Sequence, residues 1–167
     1  METEIKLEVA NLEPIRERLR ALGATRQGTA DETNLYLDRD GELRGRDESL
    51  RLRQDARVRV TWKGPSLAHD GVTERPEVEV VVSDFAVAQE LFERLGYAVV
   101  DRVAKQRETW RLPDAEIALD TLAFGRFVEI EAPPAVAIRV ARSLGLNPQD
   151  GITVSYRVLQ QQRAPSA

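Results

Sequence analysis

Apolar and polar residues alternate one by one along most of this chain, and only a few segments widen to helical spacing. Residues 2–7 set the pattern: Glu2, Glu4 and Lys6 share one face of a strand, and Thr3, Ile5 and Leu7 share the other. Alternation returns at residues 33–38, 49–54 and 57–63, the last two joined by a tight turn at Asp55-Ala56. It continues at residues 74–83, 98–111, 116–122 and 126–132, which makes eight predicted strands. Asn11 is the expected N-cap of a helix with Leu12, Ile15, Leu19 and Leu22 on one stripe, closed by Gly23. Asp84 caps a second, with Phe85, Ala88, Phe92 and Leu95 on its stripe and Gly96 after it. Pro133-Pro134 opens a third that ends at Leu144-Gly145, and a polar helix is expected near residues 153–163. Residues 64–73 read as a flexible loop, and residues 163–167 as a frayed tail to one domain over residues 1–162.

The pattern repeats. Three times a strand face with two carboxylates leads into a helix that ends in Leu-Gly: Glu2/Glu4 to Gly23, Glu77/Glu79 to Gly96, and Glu129/Glu131 to Gly145. This predicts a sheet built from related halves, with charged faces turned toward a common space.

Composition narrows the chemistry. The chain has no Cys and one His, so thiolate metal sites, disulfides and a His-rich transition-metal site are excluded. A net charge of −4 argues against general nucleic-acid binding. No apolar run spans a membrane and no signal-peptide pattern opens the chain, so a cytoplasmic location without membrane contact is the expectation. Neither P-loop nor G-x-G-x-x-G is present, so any phosphate must be held by side chains.

The charged strand positions supply candidates. Lys6, Arg51, Arg53, Lys63, Arg75, Lys105 and Arg107 are cations; Glu2, Glu4, Glu77, Glu79, Asp120, Glu129 and Glu131 are anions. If the strands close into a barrel, about half of each faces inward, and here that half is charged. Desolvating unpaired ions costs several kcal/mol each, so the interior must be wet and interleaved in sign. Such a space suits a polyanion bridged by a divalent metal: Arg and Lys for phosphate oxygens, carboxylates for Mg²⁺ or Mn²⁺. Arg57 and Arg59 share the parity of Lys63 but are weaker candidates, and Arg157 fits either a tunnel closure or plain surface. His69 reads as a loop residue, Trp62 and Trp110 as packing, and Tyr156 as an anchor for the last helix.

The Glu-x-Glu-x-Lys of residues 2–6 resembles the signature of the CYTH superfamily, the triphosphate tunnel metalloenzymes, which include class IV adenylyl cyclases, thiamine triphosphatases and tripolyphosphatases. The likeness continues in order through residues 33–38, Leu50-Arg51-Leu52-Arg53, Thr61-Trp62-Lys63-Gly64-Pro65, Arg75-x-Glu77-x-Glu79, Lys105-x-Arg107, Leu119-Asp120, residues 125–131 and Ser155-Tyr156. It implies an α+β fold, an antiparallel eight-stranded β-barrel with helices packed outside. It also implies triphosphate binding by Lys6, Arg51, Arg53, Lys63, Arg75, Lys105 and Arg107. Metal binding falls to Glu2, Glu4, Asp120, Glu129 and Glu131, and Lys63 with Tyr36 stand where some hydrolases activate water. Glu77 and Glu79 either bind metal or pair with Arg side chains. The finer resemblance of residues 47–53 and 60–65 is to the class IV cyclase branch, which makes ATP into cyclic AMP and pyrophosphate. Hydrolysis of tripolyphosphate or thiamine triphosphate is the alternative, and a non-catalytic polyphosphate- or nucleotide-binding module the third. Many relatives pair as homodimers, though no apolar patch in this sequence demands it.

Overall fold

In a computed structural model of the chain, residues 2–163 are described, apart from the side chains of Glu2 and His69. One antiparallel sheet carries the fold. Its strands are β1 (Glu2–Val9), β2 (Thr25–Asp38), β3 (Ser49–Gln54), β4 (Val58–Lys63), β5 (Leu67–His69), β6 (Val72–Arg75), β7 (Glu77–Val82), β8 (Ala98–Leu112), β9 (Ala115–Leu122) and β10 (Gly125–Glu131). The helices are α1 (Glu13–Ala21), the short α2 (Glu42–Gly45), α3 (Phe85–Arg94), α4 (Pro134–Ser143) and α5 (Tyr156–Arg163). No helix among the described residues is long and apolar enough to cross a membrane.

The strand order β5-β6-β1-β10-β9-β8-β2-β3-β4-β7 contains the repeat read from the sequence. Exchange β1-α1-β2-β3-β4 with β7-α3-β8-β9-β10, and the order from β1 to β7 maps onto itself. The halves meet where β2 pairs with β8 along thirteen partnered residues, and α1, α3 and α4 all stop at a glycine with φ of +76°, +88° and +68°.

The expected strand at residues 74–83 is two strands at opposite ends of the sheet, β7 at one edge and β6 next to the edge strand β5 at the other. β6 pairs with β1, and β7 pairs with β4. Pro76 lies between them and has no N–H for a ladder, so it marks the crossover. Gly64 N donates to Pro76 O at 2.9 Å and pins that crossover to the end of β4. Arg75 and Glu77 are two residues apart, so the two ends of the sheet approach within about 7 Å there. The chain crosses between the two ends of the sheet there, but the sheet itself is not closed: no ladder joins β7 to β5 or β6 among the described residues. Residues 64–73, expected as a loop, form the β5–β6 hairpin over part of their length, so the sheet has ten strands rather than eight.

Helices cover the outer face. Ile15 and Leu19 of α1 and Ala137, Val140 and Ala141 of α4 pack on Ile5, Leu7, Ile117, Val128 and Ile130. Trp110 is buried there, as packing predicts. Ala88, Phe85 and Phe92 of α3 pack on Leu35, Leu37 and Leu52. α5 is different, because it packs on the inward residues Val103, Leu122 and Phe127 and stops one end of the barrel. Burying Tyr156 and Leu159 there contributes about 1.5–3 kcal/mol each. Arg163, assigned to the tail by sequence, is in α5 and bonds Glu8 at 2.7 Å through two nitrogens; residues 164–167 lie outside the described residues. Asp84 caps α3 by accepting from Val87 N at 2.9 Å. Asn11 precedes the α1 cap position by one residue and accepts from Glu13 N instead.

Candidate active site

Inward side chains surround a cavity of about 420 Å³. Alternation delivers them: Glu4 and Lys6 from β1, Tyr36 from β2, Arg51 and Arg53 from β3, Arg59 and Lys63 from β4, Arg75 from β6. Glu77 and Glu79 come from β7, Lys105 and Arg107 from β8, Glu129 and Glu131 from β10. The two halves differ in sign at equivalent strands. β3 and β4 present Arg51, Arg53, Arg59 and Lys63, whereas β10 presents Glu129 and Glu131 and β9 carries the buried Asp120. A basic wall faces an acidic one.

On the acidic side the charges interlock. Lys6 Nζ lies 3.1 Å from Glu4 and 3.3 Å from Glu129, and also donates to Val154 O at 3.4 Å. Burial works against the Lys6 charge, but Glu4 and Glu129 outweigh it and its pKa is raised. Burial likewise opposes the Glu129 charge, yet Arg107, Lys105 and Lys6 hold that carboxyl well below the usual range. Arg107 bonds Glu129 directly. Tyr156 lies between the cations: Lys6 and Lys105 sit 4.8 and 4.9 Å from its ring centroid.

The basic wall is less balanced. Arg53 is buried and pushed down to about 10, by desolvation first and then by neighbouring Arg51. It donates to Asn34 Oδ1 at 3.0 Å and reaches Glu32 at 3.5 Å. Arg59 pairs with Asp55, but its Nε is buried with no hydrogen-bond partner among the described residues. Lys63 Nζ is 3.1 Å from Glu77, and Glu79 accepts from Thr61 at 2.8 Å with Arg59 at 3.9 Å. Of the two roles open to Glu77 and Glu79, pairing with cations is the one these distances fit. Arg75 sits at the crossover, donating to Gly64 O at 2.9 Å and Asp47 O at 3.1 Å. A wall of crowded guanidinium groups, one depressed and one with an orphaned N–H, is suited to an anion with several oxygens.

For a metal, the relevant pair is Glu4 and Glu131, which are direct cross-strand partners. Side chains at such positions share a face, about 5 Å apart at Cβ. Glu2 is next along the same face of β1, though its side chain lies outside the described residues. No group of three metal-ligating residues is gathered among the described residues. Two hard carboxylates fit an ion such as Mg²⁺ that completes its shell with water and substrate phosphate oxygens.

Asp120, an expected ligand, sits apart from the Glu4–Glu131 pair. Asp120 is fully buried and does not line the cavity. It accepts from Lys105 at 2.8 Å, from Arg107 at 2.8 and 2.6 Å, and from Tyr156 at 2.9 Å. A carboxylate with four donors has little capacity left for a metal. Tyr36 and Lys63 both face the cavity, but Tyr36 is level with Arg51 and Lys63 with Ser49, which sets them two strands and one register row apart. Arg57 is exposed in the β3–β4 turn, whereas Arg59 lines the cavity.

Sequence reasoning missed Glu32. It is buried on β2 and pairs with Arg53 at 3.5 Å, Lys105 at 3.6 Å and Arg107 at 3.9 Å. The signal was present: Glu32, Asn34 and Tyr36 alternate, but the strand was expected to begin only at residue 33. The cavity is also lined by residues 153–158, Tyr156 and Arg157 among them, from the segment that leads into α5 and its first turn.

The comparisons with known proteins agree with this architecture. A family model described as the CYTH domain matches residues 1–144. A Methanocaldococcus jannaschii protein named as a candidate adenylate cyclase is 31% identical over 134 residues, covering 78% of this chain and 76% of its own. A solved Pyrococcus horikoshii structure has a TM-score of 0.83 at 29% identity and covers 95% of this chain and 99% of that one. A candidate adenylyl cyclase from Hippeastrum, described as revealing a dominant triphosphatase activity, has a TM-score of 0.74 at 18% identity, with 97% and 96% coverage. At that identity the likeness is one of fold. With its family model matched over most of its length, this chain belongs to the CYTH domain family.

Proposed function

We propose that this chain is a divalent-metal-dependent enzyme that binds the triphosphate of a small molecule in its tunnel and catalyses attack at one phosphorus. The observation that carries this reading is the convergence of Lys6, Arg51, Arg53, Lys63, Lys105 and Arg107 on one cavity that also holds the opposed pair Glu4 and Glu131. Arg51, Arg53 and Arg75 bind and orient the phosphate chain. Lys63 neutralises charge at the attacked phosphoryl group, with Tyr36 facing the same space. Glu4 and Glu131, with Glu2 and Glu129 adjoining, would hold Mg²⁺ or Mn²⁺, which when bound supplies charge neutralisation and orients the nucleophile. Asp120 and Glu32 hold Lys105 and Arg107 in place.

Hydrolysis of tripolyphosphate is the reaction the lining supports better. A water oxygen bonds to a terminal phosphorus, the bridging P–O bond breaks, and pyrophosphate leaves. The lining offers a nucleobase only two aromatic faces, and cations already cover both: Arg157 over Tyr36, and Lys6 with Lys105 over Tyr156. Triphosphatase activity is also what is described for the Hippeastrum protein of the same fold. Cyclisation of ATP is the second reading, favoured by the Methanocaldococcus relative. Incubation with ATP, thiamine triphosphate and tripolyphosphate, each with Mg²⁺ and with Mn²⁺, separates them by mass spectrometry. Orthophosphate from tripolyphosphate supports hydrolysis; cyclic AMP with pyrophosphate supports the cyclase. Binding without turnover of any substrate makes the chain a binding module and overturns the enzyme reading.

A further inference from the structure

Among the described residues, Arg157 is the one cavity cation that comes from a helix. It enters from the first turn of α5, and its side chain is largely buried. Its guanidinium carbon lies 5.4 Å from the Tyr36 ring centroid, and its Nε is 3.7 Å from Asp101 Oδ2. Asp101 is also fixed by Gln161, which donates to its other oxygen at 2.9 Å. The register explains this assembly. Asp101, Tyr36 and Arg51 are successive cross-strand partners on β8, β2 and β3, so they form one inward row. Arg157 reaches across the end of that row from Asp101 to the face of Tyr36. Two guanidinium groups therefore flank Tyr36, Arg51 from the neighbouring strand and Arg157 from α5.

We propose that Arg157 is a specificity-determining residue that adds a phosphate-binding cation beside Tyr36 and occupies the aromatic face on which a nucleobase would stack, so that the site favours tripolyphosphate over a nucleoside triphosphate. This rests on the triphosphate reading of the tunnel. The second cation-covered aromatic, Tyr156, cannot substitute, because it is buried with Lys6 and Lys105 against its ring. An Arg whose ion pair with Asp101 is as long as 3.7 Å can exchange part of that contact for a phosphate oxygen, where a charge-assisted bond is stronger.

The test is binding without turnover. Wild type, Arg157→Ala and Arg157→Lys are titrated calorimetrically with tripolyphosphate and with ATP in a metal chelator, after thermal melting has compared their folds. In Arg157→Ala, tripolyphosphate is expected to bind about ten-fold more weakly while ATP binds as well or better. Arg157→Lys keeps the charge and is expected to retain tripolyphosphate affinity within about three-fold. An equal loss of both ligands, or an unchanged ratio, overturns the role of Arg157 and leaves the tunnel reading standing. If wild type binds neither ligand, in chelator or with Mg²⁺ supplied, the triphosphate reading fails and the proposal fails with it.

Discussion

Tyr156 donates its phenolic hydroxyl to Asp120 at 2.9 Å, and so joins the first turn of α5 to the middle of β9. Both residues are buried. Burial, with Glu129 and Asp120 close by, pushes the tyrosine well above its ordinary range, so it stays a donor at neutral pH. The same carboxylate holds Lys105 and Arg107. The α5 segment is therefore fastened to the acid that positions two cavity cations.

Tyr156→Phe keeps the ring against Lys6 and Lys105 and removes the bond. It is expected to destabilise the fold by about 1–2 kcal/mol in urea unfolding. Asp120→Asn leaves two buried cations short of a counter-charge and should cost more, about 3–5 kcal/mol. If Asp120→Asn were as stable as wild type but lacked turnover, Asp120 would return to the metal ligands.

Glu4→Gln and Glu131→Gln should act chiefly on turnover. Exposed Glu131 loses a charge from a directly opposed pair, so Glu131→Gln should change stability by no more than about 1 kcal/mol, whereas Glu4→Gln also takes a counter-charge from buried Lys6 and should cost more, about 3 kcal/mol. Turnover should fall on the order of 10²-fold or more, because the metal loses a charged donor. Near-normal activity in both variants would remove these residues from the metal site.

Lys63→Ala should lower kcat with little change in KM. Lys63 is tied to Glu77 at 3.1 Å and reaches the cavity from the last residue of β4. Steady-state kinetics with tripolyphosphate decides it: a change confined to KM assigns Lys63 to binding alone.

Glu32 gives a pH signature. Burial raises its pKa, but Lys105, Arg107, Arg53 and Arg51 overcome this and the net shift is downward. A depressed carboxylate contributes stability that is full above its unfolded value of about 4.3 and lost as pH falls through the folded value. Glu32→Gln should therefore be less stable than wild type at pH 7, by about 3–5 kcal/mol. The gap should narrow as pH falls below about 4.3 in urea titrations. A gap independent of pH would mean that the Glu32 charge contributes nothing.

The inward row of each strand was legible because alternation in a barrel is strict: Glu4, Lys6, Arg51, Arg53, Lys63, Lys105, Arg107, Glu129 and Glu131 all face the cavity. Alternation says which face a residue is on and nothing about depth along it. Alternation placed Asp120 on the inward face, and only the structure shows that it lies at the buried level. Pro76 was visible, yet the strand around it kept its period on both sides, so parity continued while the chain crossed from one end of the sheet to the other. Glu32 was lost to a strand boundary. Arg157 had no strand period to place it, since its position depends on how α5 docks against β8 and β2.

The most direct test of the account is a crystal structure of the protein grown with tripolyphosphate and Mn²⁺, with anomalous scattering used to locate the metal. A manganese peak is expected between Glu4 and Glu131, with a phosphate chain lying against Arg51, Arg53 and Lys63. Manganese away from these carboxylates, or tripolyphosphate bound outside the tunnel, would contradict it.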